Sequence, residues 1–153
     1  MTVKDVMTRK VGACPREADL SAAVKVMAEH DCGFVPVIDS HAAVVGVITD
    51  RDVCNAVATL SRPPSLIAVS EVMSHPVRAC FPDEALTTVL VTMGKHRVRR
   101  LPVLDKKTGR LQGVLSIDDV VLASRRRGSP TSEDIVDALK AICRPRPVEI
   151  VPS

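Results

Sequence analysis

The sequence is nearly without aromatic residues, since it has no Trp, no Tyr and only two Phe in 153 residues. Aromatic platforms on which the bases of nucleic acids stack are therefore scarce. The formal net charge is only +3, with acidic and basic residues mixed along the chain, whereas a duplex-binding protein usually has a strongly basic face. The one basic run, Arg125-Arg126-Arg127, is interpreted as solvated surface or a hinge. We do not expect nucleic acid as a partner.

The sequence also lacks signals for secretion or membrane insertion. Nothing at Met1 resembles a secretory leader, and no uninterrupted apolar stretch is long enough to span a bilayer. The five cysteines are an odd number without the dense spacing of a disulfide framework, which is typical of a reducing compartment. The sequence predicts a cytoplasmic protein without a membrane partner.

Sequence motifs of common enzyme classes are absent. The chain contains no Gly-rich phosphate loop of the Walker type, no Gly-x-Ser-x-Gly elbow and no His-Glu-x-x-His motif. We therefore expect a protein that is not an enzyme and that requires no cofactor.

The chain does contain an internal duplication, because it matches itself at an offset of 66 positions. The register slips by one residue across Lys106 to Gly109 and then continues. Two copies of one small unit usually pack about an approximate twofold axis, so a pocket formed by one copy is expected twice. The identical pairs before the slip are Val3/Val69, Val6/Val72, Met7/Met73, Val11/Val77, Cys14/Cys80, Leu20/Leu86, Met27/Met93, His30/His96, Pro36/Pro102, Val37/Val103 and Asp39/Asp105.

Hydrophobic periodicity changes in the same order in both copies. Apolar residues at helical spacing alternate with segments rich in β-branched residues, which predicts a β-α-β-β-α unit in each copy. The fold class is α+β, with two repeats related by a pseudo-twofold axis and an extra C-terminal helix. The predicted elements are a helical turn at 3–7, an extended stretch at 11–14, a helix from Asp19, strands at 34–39 and 43–48, a helix at 50–58, strands at 100–104 and 111–115, and a helix at 117–124.

Each repeat is too small to bury a good core alone, so the two should fold together. The paired prolines Pro63-Pro64 mark the connection, since they continue neither helix nor ladder. After Gly128, Ser132 is predicted to cap a last helix in which Ile135, Leu139 and Ile142 share a face. The predicted organisation is repeat 1 at 1–60, a linker at 61–68, repeat 2 at 69–126, and a C-terminal helix and tail at 127–153.

Two pairs of strings carry a resemblance to a known family. They are Phe34–Asp39 with Gly46–Asp52, and Arg100–Asp105 with Gly113–Asp119. Their order resembles the CBS domain, and two repeats resemble a tandem CBS pair, or Bateman module, here expected to be a stand-alone one. The resemblance implies a regulatory module that binds an adenosine-containing ligand (AMP, ADP, ATP, NAD or S-adenosylmethionine) between the repeats, and it implies a homodimer.

The strand-to-helix junctions supply the candidate ligand groups. Thr49-x-x-Asp52 and Ser116-x-x-Asp119 place a hydroxyl and a carboxylate beside free helix N-terminal amides. The carboxylate can accept hydrogen bonds from both ribose hydroxyls, while the hydroxyl and amides can meet a phosphate. The alternative interpretation is a helix capping box worth about 1 kcal/mol. One residue can serve both roles.

The other candidate ligand-binding residues are apolar walls and arginines. Arg51 lies within the first junction, where the second copy has Asp118, a poor neighbour for a polyphosphate. Arg97, Arg99 and Arg100 precede the strand of the second copy, but the sequence does not assign them to one pocket. The adenine is expected to lie against Val11, Val35 and Val37 in one repeat and Val77, Leu101 and Val103 in the other. Pro36 and Pro102 on the same strands are further candidate ligand-binding residues.

Two other functions remain open. The matched pairs Cys14/Cys80 and His30/His96 could form a Cys2His2 zinc set, giving a metal- or redox-responsive structural dimer, although their spacing is no zinc signature and the site is not favoured. The third hypothesis is docking of an unidentified protein partner through Arg125–Arg127 and the last helix.

Overall fold

The structure, a computed structural model, describes residues 1–145. The elements are β1 (Cys14–Pro15), α1 (Leu20–Glu29), β2 (Phe34–Ile38), β3 (Val44–Thr49), α2 (Asp50–Leu60), α3 (Val69–Val72), α4 (Leu86–His96), β4 (Arg100–Leu104), β5 (Leu111–Ser116), α5 (Ile117–Ala123) and α6 (Ser132–Cys143). The first repeat contains β1, α1, β2, β3 and α2, and the second contains α4, β4, β5 and α5, with the short α3 leading into it. The α+β class and the repeated order agree with the sequence prediction.

The two sheets are built alike but are not identical. In the first, β2 pairs antiparallel with β3 and parallel with β1. In the second, β4 pairs antiparallel with β5, and a parallel bridge between Cys80 and Val103 replaces the first strand. The predicted extended stretch at 11–14 is thus reduced to the two residues of β1, and the predicted helical turn at 3–7 is a 3-10 turn at Val3–Asp5.

The N-terminal segments of the two repeats are exchanged. Val3 donates its backbone N–H to Glu84 O of the second repeat at 3.0 Å, and Val69 donates its own to Ala18 O of the first repeat at 2.8 Å. Farther on, the backbone of Thr8 pairs with Val114 of the second repeat. Each repeat therefore begins on the surface of the other.

The same exchange completes both hydrophobic cores. Val3 and Met7 are buried in the core of the second repeat, whereas Ile67 and Val69 are buried in the core of the first. Burying an aliphatic side chain of this size is worth about 2 kcal/mol, so separation of the repeats would expose four such anchors. This explains in physical terms why the two small units fold together.

The last helix belongs to the second repeat. It packs along α4 and places Ile135, Ala138 and Ile142 in the core, with Leu139 partly buried beside them. The predicted cap at Ser132 was wrong by one residue, because Thr131 is the N-cap and its hydroxyl accepts the N–H of Asp134 at 3.1 Å. The predicted tail lies mostly outside the described residues. Within residues 1–145 no helix is long and apolar enough to cross a membrane.

Two equivalent glycines allow the exchanged segments to approach the sheets. A Cβ at Gly113 would lie 2.5 Å from the backbone oxygen of Thr8, and a Cβ at Gly46 would lie 2.5 Å from Sδ of Met73. The first neighbour is fixed main chain that forms a backbone hydrogen bond, whereas the second is the end of a flexible side chain.

Gly113→Ala should therefore lower the free energy of unfolding by about 2 kcal/mol, the usual cost of overpacking. Gly46→Ala is the matched control, and its cost should be below about 1 kcal/mol because a methionine side chain can repack. Urea unfolding of both variants measures the difference. Equal losses of stability would contradict the asymmetry.

Candidate ligand-binding cleft

A cleft of about 690 Å³ lies between the repeats, at the junction of β3 and α2. Val47 and Ser74, whose backbones pair with each other, both line the cleft, so the exchanged segment that carries Ser74 forms one of its walls. This volume is in the range of small-molecule sites. The lining residues are Gly33, Phe34, Val47, Thr49, Asp50, Arg51, Asp52, Ser74, Pro76, Arg78, Arg97, Val98, Arg99, Arg100, Leu101, Ile142 and Arg144.

The first strand-to-helix junction lies in this cleft and forms a capping box. Thr49 donates its backbone N–H and its hydroxyl to Oδ2 of Asp52, both at 2.8 Å, and accepts the N–H of Asp52 at 3.3 Å. The capping interpretation of the sequence is thus correct for this junction. Because these bonds use Oδ2 of Asp52, its Oδ1 is left available to a ligand. The hydroxyl hydrogen of Thr49 is already committed to Asp52.

The apolar wall of the cleft differs from the predicted one. Phe34, one of the two aromatic residues of the chain, lines the cleft together with Val47 and Val98. Leu101 also borders it, although it is otherwise buried in the second core. The sequence signal for Phe34 was its rarity, because one of only two phenylalanines at the start of a predicted strand is a candidate for stacking on a base.

The remaining predicted apolar contacts with the ligand do not border this cleft. Val35, Pro36, Val37, Pro102 and Val103 are buried. Of these, the three valines lie in the two hydrophobic cores. Strand alternation explains this, since the β-branched residues of a half-buried strand face the core. Val11 and Val77 are partly buried outside the cleft lining.

The structure brings the arginines of both repeats to one place. Arg51 from the first repeat and Arg97, Arg99 and Arg100 from the second all line the cleft. Two further arginines, Arg78 on the exchanged segment and Arg144 at the end of α6, also line the cleft. The sequence analysis did not single them out, because their positions depend on the fold. Within residues 1–145 none of the six forms an ion pair with a carboxylate.

The second junction forms the same cap elsewhere in the molecule. Ser116 donates its N–H and hydroxyl to Oδ2 of Asp119 at 2.8 and 2.7 Å. Neither residue lines the cleft described above. The structure therefore does not bring Asp52 and Asp119 into one pocket, and they are related by the internal repeat.

Comparison with protein families decides the identity of the fold. The sequence model of the CBS domain matches residues 3–59 and again residues 69–126. This chain belongs to the CBS domain family. The two matched segments coincide with the two structural repeats, so the predicted tandem CBS pair is confirmed.

Relatives of this CBS pair differ greatly in length. CBS domain-containing protein YhcV of Bacillus subtilis is 30% identical over 121 residues, which cover 79% of this chain and 84% of YhcV. Homoserine O-acetyltransferase of Methanococcoides burtonii is 33% identical over 119 residues, covering 78% of this chain but only 23% of that enzyme. The chain therefore spans about a quarter of the length of some relatives and most of the length of others.

Solved structures share the fold of this CBS pair. The CBS domain pair of protein MJ0100, in complex with 5′-methylthioadenosine and S-adenosyl-L-methionine, superposes with a TM-score of 0.72 at 24% identity, covering 80% of this chain and 94% of that one. Hypoxic Response Protein I with two coordinated zinc ions gives a TM-score of 0.71 at 26% identity, covering 80% and 98%.

The candidate zinc ligands are placed in separate surroundings. Cys14 is buried in the first core and Cys80 in the second. Nδ1 of His30 forms a hydrogen bond with the backbone carbonyl of Val26. No three His, Cys, Asp or Glu side chains within residues 1–145 lie where they could hold a metal ion together. Burial raises the pKa of the Cys80 thiol to about 12 and also raises that of Cys14. Both thiols therefore stay protonated near neutral pH, which disfavours metal binding and oxidation.

A thiol-reactive reagent at pH 8 should accordingly label the exposed Cys54 and Cys143 in the folded protein and should leave Cys14 and Cys80 unmodified. Only thiolates react, and the raised pKa of the two buried thiols removes that form. Mass spectrometry of labelled peptides before and after addition of denaturant measures this. Rapid native labelling of Cys80 would contradict the buried, protonated thiol.

Proposed function

We propose that this CBS pair is a regulatory module, not an enzyme, and that it binds an adenosine-containing ligand in the cleft between its repeats. The observation that carries the proposal is the half-occupied carboxylate of Asp52 in a cleft lined by both repeats. The MJ0100 pair shows that its fold accommodates molecules that carry adenosine. The cleft supplies groups for each part of such a ligand.

The ribose is assigned to Asp52. Its Oδ2 is held by Thr49, which fixes the orientation of the carboxylate before any ligand arrives. Oδ1 then accepts hydrogen bonds from the ribose hydroxyls, and bonds to an ionised acceptor are about twice as strong as neutral ones. The capping box is therefore compatible with ligand binding and acts as its support.

The adenine is assigned to the apolar side of the cleft. Phe34 is half-buried and lies beside Val47 and Val98, so it offers a ring face next to aliphatic surface. Stacking of a base on an aromatic side chain contributes about 1–3 kcal/mol. This wall also takes residues from both repeats, since Phe34 and Val47 belong to the first and Val98 to the second.

The proposed regulatory signal is a change in the relative arrangement of the parts of the protein that form the cleft walls. The cleft takes residues from the first repeat, from the exchanged segment at 74–78, from the second repeat at 97–101 and from the end of the last helix. A ligand in contact with these parts favours one arrangement of them over the others, and it shifts the population toward that arrangement. A homodimer would transmit that shift, and the exposed Val24, Val57 and Leu60 of α1 and α2 offer apolar surface for a second copy.

The second junction provides a matched control for the ligand role of Asp52. Asp52→Ala and Asp119→Ala remove the same capping bonds, so each should lower the free energy of unfolding by about 1 kcal/mol. Only Asp52→Ala should also weaken adenosine binding, by about tenfold or more, because it alone removes the ribose acceptor from the cleft. Urea unfolding and isothermal titration measure the two effects. The proposal fails if neither adenosine nor any of its phosphorylated forms binds the unaltered protein detectably at millimolar concentration, or if both substitutions weaken binding equally.

A further inference from the structure

The charge of the cleft carries a further inference, which rests on the proposed function and names the class of ligand. Six arginines and two aspartates line the cleft, which leaves a net charge of +4 in the lining. The whole chain carries only +3. The net positive charge of the cleft lining therefore exceeds that of the whole chain, and it acts at short range on a molecule in the cleft.

Four of the six arginines, Arg97, Arg99, Arg100 and Arg144, stand on the side of the cleft formed by the second repeat and the last helix. Arg97 ends α4 with a left-handed backbone, φ 53°, and donates from its guanidinium to the carbonyl of Pro145 at 3.2 Å. Arg144 is the C-cap of α6, next to that carbonyl. The end of the last helix is thus tied to the arginine segment 97–100, and Arg144 joins the cleft from that end.

The internal repeat offers a comparison within the same molecule. The position equivalent to Arg97 is Asp31, which has the same left-handed backbone with φ 47°. Arg51 is likewise replaced by Asp118. In both pairs a basic residue in the cleft corresponds to an acidic residue in the other copy. Only the basic member of each pair suits an anion.

We infer that the cleft selects an adenosine ligand that carries phosphate groups, and that Arg97 and Arg144 bind its phosphate end. Guanidinium groups bind phosphate oxygens through paired charge-assisted hydrogen bonds. S-adenosylmethionine, a net cation, is repelled by the same groups. One phosphorylated ligand binds per chain, because the repeat-related equivalents of Arg97 and Arg51 are the acidic residues Asp31 and Asp118.

The test is isothermal titration of the full chain with adenosine, AMP, ATP, S-adenosylmethionine and inorganic tripolyphosphate, at two salt concentrations. Affinity should rise from adenosine through AMP to ATP. ATP should bind at least about tenfold more tightly than S-adenosylmethionine, the effect of roughly one charged hydrogen bond. The advantage of ATP over adenosine should shrink at the higher salt concentration, because counterions screen exposed charges.

Arg144→Ala should weaken ATP binding by about three- to tenfold while leaving adenosine affinity unchanged, since an exposed charge-assisted contact is worth about 1 kcal/mol. Arg127→Ala is the control, because it removes the same charge from an exposed position outside the cleft. It should change neither affinity.

Two results would overturn the inference while leaving the proposed function intact. They are equal affinities for ATP, adenosine and S-adenosylmethionine, or an equal loss of adenosine and ATP binding in Arg144→Ala. Tripolyphosphate binding as tight as that of ATP would show that adenosine contributes nothing to affinity, and it would overturn the proposed function and the inference together. If none of the adenosine compounds binds, the proposed function fails and the inference fails with it.

Discussion

The exchange of N-terminal segments between the repeats is the constraint on which this structure depends. Val3 and Met7, at the start of the first repeat, complete the core of the second repeat. Ile67 and Val69, at the start of the second repeat, complete the core of the first. Neither repeat can leave its partner without opening its own core and exposing apolar surface. The cleft is a product of the same exchange, since the segment that carries Ser74, Pro76 and Arg78 is held against β3 of the first repeat.

Duplication produced one backbone used twice, while the side chains at the cleft diverged. The caps at Thr49 and Ser116 are geometrically alike, and both are explained by helix stability alone. What distinguishes the first junction is its surroundings, because arginines from the second repeat and from α6 converge on it. The proposed function therefore depends on the asymmetry between the copies and not on the feature they share.

The sequence predicted the repeat and the order of elements, because identities at a constant offset and changes of periodicity are local signals. The tandem CBS pair was predicted from the resemblance of two short segments in each repeat to that family. It also identified Thr49, Arg51 and Asp52 at the cleft. It could not place Arg78 or Arg144, since their proximity to Asp52 depends on the exchanged segment and on the packing of α6 against α4. The adenine wall was assigned to Val35 and Val37 although the sheet directs them into the core. Phe34, one position earlier on the same strand, borders the cleft.

The exchanged topology also bears on how the protein is made. A ribosome delivers the N-terminus first, yet Val3 finds its place only on the second repeat, and the first core stays open until Ile67 and Val69 have emerged. A half-translated chain therefore exposes apolar surface both at Val3 and at the open core of the first repeat. Long-range contacts of this kind slow folding, so the nascent polypeptide needs protection from aggregation until its last third has left the exit tunnel.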